Sequence, residues 1–383
     1  MIRSRALYLS PIDMRTNNGM AHGQLQLLKA LCSVYETVDL LSAGASNRQA
    51  REWLKNAGLQ VNVLEGFYPS LVRLNSILWY GGGVILCNRL RLIDRFCFPI
   101  QTPLPQSWIE KYDKIVCYYA WHHRLLRLDR AGEKVVVDTG DVMAERHERT
   151  GARRWITLRA ADECAVLRSS SRCIAVSEDD AAEFQRLYGV RPSVLSFVPQ
   201  CSPELLEVAS RERPRRVGFM GAPSYVNEEI LRLLASPDFM AYLKEAGIEF
   251  VIAGGICETV DRSVLRTLER LGAVILGKVG STAEYYSQIA ATVNPVGPST
   301  GVKIKSVETL VAGRSLITTR WGADRSLAAA FPNQVAFIDW PTEPRILGEL
   351  CVKVVREEPP DTRAAAETYV REATRALKEM LGP

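Results

Sequence analysis

The amino-acid sequence predicts an α/β protein built from two doubly wound parallel sheets in tandem. Three observations predict it. Short β-branched runs alternate with helix-patterned segments, as strands joined by crossover helices do. The alternation comes as two successive series. A chain of 383 residues is also too long for one average core and suits two domains of roughly 150–200 residues each.

The first series runs ALYLS (6–10), TVDLLS (37–42), KIVCYY (114–119), KVVVDT (134–139), RCIAVS (172–177) and SVLSF (193–197). Near-continuous apolar runs of this kind fit strands covered on both faces, the environment of a parallel sheet. The second series runs RVGFMG (216–221), EFVIAGG (249–255), AVILGKV (273–279), TVNPV (292–296), SLITT (315–319) and VAFID (335–339). An open sheet of this type places its ligand crevice at the carboxyl ends of its strands. The boundary between the series is expected near residues 199–215, a Pro-rich and charged stretch, giving domains 1–200 and 201–365. Residues 366–383 form a predicted terminal helix, with Tyr369, Ala373, Leu377 and Leu381 on one face and packing back towards the first domain.

Composition narrows the class. Apolar residues make up 47% and charged residues 24%, which excludes a disordered chain. The net charge of +5 is spread among acids without a basic tract, which argues against nucleic acid and suits an anionic small molecule or an anionic membrane surface. Nine cysteines without a C-x-x-C pair read as reduced, mostly buried thiols of a cytoplasmic protein. Too few apolar residues precede Pro11 for a signal-peptide core, and the apolar stretch 76–88 is about two-thirds of a membrane span. No transmembrane helix is expected.

Chemistry concentrates in VNPVGPSTGVKIKSVETLVAG, residues 293–313. An apolar strand leads through a Pro/Gly/Ser/Thr loop and two lysines into a helix carrying Glu308. Unpaired N–H groups and positive potential at a helix N-terminus suit phosphate oxygens, and Lys303 and Lys305 add point charge. A diphosphate fits, with Glu308 accepting from ribose hydroxyls. By spacing alone a second reading stays open, in which Lys305 and Glu308 are an i,i+3 surface pair and the glycines are turn residues.

Other candidates are distributed along the chain. Gly19 and Gly23 either let the backbone approach phosphates or form a plain strand-to-helix turn. Their spacing is not G-x-G-x-x-G, and neither GFMGAP nor IAGGICE supplies it, which argues against a dehydrogenase. Asp138 and Asp141 end a buried strand, and Asp141 either orients an acceptor hydroxyl or caps the helix MAERHERT. His22, His122, His123 and His147 share no metal-ligand spacing with the cysteines or acids, so no metal site is expected. His122 and His123 read as a lining of the acceptor side or as a solvated loop pair. The stretch 66–103, rich in Arg, aromatics and Leu, suits a membrane interface or a lipid-linked acceptor, or helices packed on the first sheet with snorkelling arginines.

The segment 293–313 resembles the donor-site signature of glycosyltransferase family 4. The pattern Gly301, Lys305, Glu308, Ala312, Gly313, followed by a short apolar strand and Thr-Thr, is similar to members that assemble bacterial exopolysaccharides. RTNNGMAHGQLQLLKALCSVYETVDLLS (15–42) resembles the family's first loop and helix, and KVVVDTGDVMAERHE (134–148) its strand and Asp-x-x-Asp turn. ECAVLRSSSRCIAVSEDDAAEF (163–184) resembles the close of its first domain, and RRVGFMGAPSYVNEEILRLL (215–234) the strand, glycine turn and Asn-containing helix that open its donor domain.

The resemblance implies a GT-B fold, two Rossmann-like domains facing each other across a cleft. It implies a retaining transfer from a nucleotide-diphosphate sugar to a glycan, lipid-linked or small-molecule acceptor, with no metal or other cofactor required. Carried over residue by residue, it puts nucleotide-sugar binding on Gly19, Gly221, Thr300, Gly301, Lys303, Lys305 and Glu308, and catalysis on Asp141 and Lys305. The chain departs from the pattern at three points. Thr300 stands where many members have a first glutamate, the turn GAPSYVNEE lacks their Arg and Lys, and Asp138 and Asp141 flank Gly140 where a histidine is common. Diphosphate charge then falls to Lys303, Lys305 and the amides around Gly301. The rival expectations are a nucleotide-sugar epimerase of the same fold and a catalytically degenerate GT-B binding protein.

Overall fold

The computed structural model describes residues 4–10, 19–42, 47–64, 70, 74, 101–144, 160–299, 301–357 and 362–382. Its chain divides into two compact units, Met1–Ser196 with Thr374–Pro383, and Phe197–Ala373.

The first unit holds β1 (Arg5–Ser10), β2 (Thr37–Ser42), β3 (Asn62–Val63), β4 (Lys114–Tyr118), β5 (Val135–Asp138), β6 (Arg172–Ala175) and β7 (Ser193–Val194), in spatial order β3-β2-β1-β4-β5-β6-β7. The second holds β8 (Arg216–Met220), β9 (Glu249–Ala253), β10 (Val274–Gly277), β11 (Ala291–Asn294), β12 (Ser315–Thr318) and β13 (Val335–Phe337), ordered β10-β9-β8-β11-β12-β13. All neighbours pair in parallel, as at Leu7↔Ile115 and Ala291↔Val217. Strand order reverses at β1/β4 and again at β8/β11. These are the switch points where a doubly wound sheet opens a crevice. Every residue of β4, β5, β11 and β12 is buried, so these strands show no alternation, as sheets covered on both faces require.

Three local features differ from the sequence expectation. β3 adds an edge strand of two residues, too short to leave a periodic signal. β7 keeps only the first two residues of SVLSF. The Pro-rich stretch 199–215 contains the helix Ser202–Ala209, with Pro203 in its first turn. A first-turn proline sacrifices no helical hydrogen bond, so it starts a helix as readily as it breaks one. Leu205 and Val208 of this helix lie in the core of the second unit.

The terminal helix, Thr362–Leu381, buries the expected face of Tyr369, Ala373, Leu377 and Leu381. The Tyr369 hydroxyl donates to the Phe197 carbonyl at 2.9 Å, within the second unit. Leu377 and Leu381 belong to the first unit's core, where the Tyr35 hydroxyl donates to the Leu381 carbonyl at 2.8 Å.

Arg314, at the start of the turn into β12, is fully buried. Its guanidinium donates to three carbonyls, of Tyr286 at 3.0 Å, Arg211 at 3.3 Å and Val208 at 3.1 Å. It thereby ties the end of the Ser202–Ala209 helix to the helix Thr282–Ser287. Burial, together with Arg213 and Arg211 nearby, lowers its pKa to about 10, which leaves it charged at neutral pH. Arg314→Met would leave these buried carbonyls without their donor, at about 1–3 kcal/mol for each that water cannot reach. We expect urea unfolding of the second unit to show a loss of about 3 kcal/mol or more; a loss under about 1 kcal/mol would mean that the carbonyls find other donors.

Candidate functional site

Of the predicted binding residues of the second unit, Gly221, Gly301, Lys303, Lys305 and Glu308 lie on the segments that follow β8 and β11, at its switch point. β8 ends at Met220, and Gly221 to Ser224 turn the chain into the helix Tyr225–Leu234. The Gly221 N–H donates to the Ala253 carbonyl at 3.1 Å, while the Gly221 carbonyl accepts from the Ile256 N–H at 3.0 Å, which seats the turn on the end of β9. A Cβ on Gly221 would stand 3.0 Å from both Cγ and Nδ2 of Asn227. Glycine here makes room for a side chain.

Beside β8, β11 ends at Asn294 and the chain runs through a loop into the helix Ile304–Val311. Asn294 Nδ2 donates to Ser306 Oγ at 3.2 Å, pinning the helix to the strand end. Gly301 has φ +73°, a left-handed conformation that a Cβ disfavours. Lys303 occupies the N-cap position without a capping side-chain bond, and its Nζ donates to the Gly301 carbonyl at 2.8 Å. Thr300 lies outside the described residues.

Lys305 and Glu308 are not the surface ion pair that their spacing allows. Lys305 is half-buried and Glu308 buried, and each has a neutral partner of its own. Lys305 Nζ donates to Asn227 Oδ1 at 2.7 Å and stands 4.3 Å from the centre of the Phe219 ring. The Tyr286 hydroxyl lies 3.3 Å from Glu308 Oε2 and 3.1 Å from the Lys305 carbonyl. Loss of hydration, with Lys303 adding repulsion, pulls the Lys305 pKa down to about 7. Burial pushes Glu308 up to about 7 against the opposing effect of the Tyr286 hydrogen bond. Among the described residues no carboxylate forms a salt bridge with Lys305, so whatever charge the ammonium carries is uncancelled.

Tyr286 escaped sequence reasoning, and Asn227 entered it only as the asparagine of the helix in 215–234, with no role of its own. Asn227 lies in the helix after β8, where its N–H donates to the capping Ser224 Oγ at 3.2 Å. Its Nδ2 donates to the Ala222 carbonyl at 2.7 Å. An Asn three residues past a Ser is an ordinary helix start, and only the fold brings it to a lysine 78 positions away.

The remaining candidates belong to the first unit. Gly19 opens the helix Gly19–Val34. At Gly23 an added Cβ would stand 3.0 Å from the Tyr118 hydroxyl at the end of β4, so glycine leaves room for that side chain. Asp138 Oδ1 accepts from the Gly140 N–H at 2.9 Å, and burial raises its pKa to about 7. Asp141 is buried, with Oδ1 accepting from the Val142 N–H at 3.0 Å. Of the stretch MAERHERT that Asp141 is expected to cap, Met143 and Ala144 form a turn, and the rest lies outside the described residues, as do His147 and most of 66–103. His122 and His123 are not a solvated loop pair. Both are buried in the short helix Ala120–Leu125, because the apolar run of β4 continues into Ala120 and Trp121, which join the first unit's core. The His122 ring stacks on Trp121 at 3.7 Å, and burial lowers the His123 pKa to about 4.

Glu163, which no sequence pattern singled out, holds the turn after Asp141. It accepts from the N–H groups of Met143 at 2.9 Å and Ala144 at 3.2 Å, and from the Tyr188 hydroxyl at 2.7 Å. No helix among the described residues is long and apolar enough to cross a membrane.

No family model matches the chain, and no curated protein matches it. Solved structures do. HepE of Anabaena in complex with UDP and glucose is 14% identical, with a TM-score of 0.57 over 98% of this chain and 96% of that one. WaaG, a glycosyltransferase involved in lipopolysaccharide biosynthesis, is 14% identical, with a TM-score of 0.55 over 98% and 97%. A glycosyltransferase from Rickettsia africae is 12% identical, with a TM-score of 0.61 over 99% of both chains. The chain has their GT-B fold, two parallel sheets with alternating helices.

Glu163 gives this region a pH signature. Burial raises its pKa from 4.5 to about 7, with the hydrogen bonds from Tyr188, Met143 and Ala144 opposing. Its folded value lies above its unfolded one. The stability it contributes is therefore fully present below the unfolded value and is lost as pH rises through the folded one. Glu163→Gln removes that titration, so wild type should lose stability relative to the variant between pH ~5 and ~7. Urea midpoints at both pH values measure this, and a constant difference would show that Glu163 does not titrate there.

Proposed function

We propose that this chain is a glycosyltransferase that moves a sugar from a nucleotide-diphosphate sugar to a glycan, lipid-linked or small-molecule acceptor, with retention and without a required metal. The second unit takes the donor and the first unit the acceptor. One observation carries the reading: at the switch point of the second unit's sheet, Lys305 presents an ammonium that no described carboxylate pairs. HepE, which shares the fold, is known in complex with UDP-glucose.

In this reading Lys303, Lys305 and the amides around Gly301 face the diphosphate, and Glu308 accepts from the ribose. Thr300 stands at the sugar end, and Gly221 gives the turn after β8 its close approach. Gly19 brings backbone to the phosphates from the first unit, and Asp141 orients the acceptor hydroxyl. As the glycosidic bond to the nucleotide breaks, negative charge develops on the departing diphosphate. A lysine fixed before the reaction stabilises that charge without reorganising, and the placement of donor and acceptor supplies the rest. The protein works in the cytoplasm, with 66–103 as its contact to the inner membrane face and to a lipid-linked acceptor.

The test is Lys305→Ala. Turnover of a nucleotide sugar should fall by about 10²-fold or more while the melting profile stays that of wild type. Unchanged turnover would sink the role. Thermal melts with UDP, GDP and ADP provide the binding readout, since a ligand held only by the native state raises the melting temperature. Chromatography of sugar products separates the rivals: epimerised sugar identifies an epimerase, and no binding at all a degenerate member.

A further inference from the structure

We propose that Asn227 is a positioning residue, which fixes where the Lys305 ammonium stands when it meets an anionic ligand; the inference rests on the donor-site reading above. A lysine is a point charge on a flexible four-carbon stem, so its value at a binding site depends on what holds it. Two groups hold this one. The Phe219 ring lies beneath it at 4.3 Å, and Asn227 Oδ1 accepts from Nζ at 2.7 Å.

Asn227 is itself held at three points. Its N–H is tied to Ser224 Oγ, its Nδ2 to the Ala222 carbonyl, and the room for its amide exists because Gly221 has no Cβ. The Ala222 carbonyl demands a donor and the Lys305 ammonium an acceptor, so the network admits one orientation of the amide. The turn GAPSYVNEE carries no cation of its own, and instead lends an acceptor to a cation from the neighbouring helix.

The choice of a neutral acceptor has a chemical meaning. A carboxylate at 227 would form an ion pair with Lys305, and a diphosphate would have to compete with it. An amide oxygen orients the ammonium and leaves its charge unspent. Nζ has three N–H donors, and among the described residues its side-chain hydrogen bond to Asn227 uses one.

Two substitutions and a double-mutant cycle test the inference. The readout is calorimetric affinity for whichever of UDP, GDP and ADP wild type binds tightest. Asn227→Ala should weaken binding about 10-fold in the wild-type background but less than about 2-fold in Lys305→Ala, because the residue acts through Lys305. Asn227→Asp keeps the side-chain shape but pairs with the ammonium, and should lose at least as much as Asn227→Ala. Equal losses from Asn227→Ala in both backgrounds would mean that Asn227 merely supports the turn, and would overturn the proposal. Wild-type affinity in Asn227→Asp overturns it independently, even should the Ala variant not fold. Failure of the donor-site reading is visible before Asn227 is touched, as wild type binding none of the three nucleotides or as Lys305→Ala binding like wild type. Either result removes this inference with it.

Discussion

A parallel strand can join its neighbour only through a segment that returns over the face of the sheet, and this constraint decides most of the structure. Returning segments cover both faces, so strands such as β4, β5, β11 and β12 are buried along their whole length, and β4 and β5 read as near-continuous apolar runs. The strand ends are left for chemistry. Where strand order reverses, the helices on either side leave in opposite directions and a crevice opens. In the second unit that reversal falls between β8 and β11, so Gly221, Asn227, Gly301, Lys303, Lys305 and Glu308 converge although two distant stretches supply them.

The site is then shaped by how buried charge is handled. Lys305 and Glu308 sit within one turn of the same helix, yet each is satisfied by a neutral group from elsewhere, the Asn227 amide and the Tyr286 hydroxyl. Neutral partners leave both groups with pKa values near 7, pulled from opposite sides by the same loss of hydration. A site built this way responds strongly to an incoming charge. An anion next to Lys305 restores the preference for the protonated ammonium that burial removed.

The two series of strands were legible because burial on both faces writes itself into consecutive residues. Lys305 and Glu308 were legible because a strand, a glycine loop and a helix start lie adjacent in the chain. The asparagine of the helix after β8 was legible as part of a pattern but its role was not, since that comes from a contact across 78 positions that no local pattern encodes. Glu163 hid in the same way, as one of two acids in a helix's first turn. His122 and His123 misled for the opposite reason. Two polar residues after an apolar run suggest a loop, but the helix they occupy buries them. Pro203 misled through its usual association with linkers, where position within the helix was what mattered.

Arg314 has a consequence for behaviour in acid. The buried carboxylates at 138, 163 and 308 change charge near neutrality, so their contacts are re-weighted as pH falls. The three groups that hold Arg314 are carbonyl dipoles, which have no proton to gain in that range. Its pKa of about 10 keeps the guanidinium charged all the way down. The hydrogen bonds that join the Ser202–Ala209 helix to the turn into β12 therefore carry no group that titrates in acid, and they persist while those carboxylates change charge.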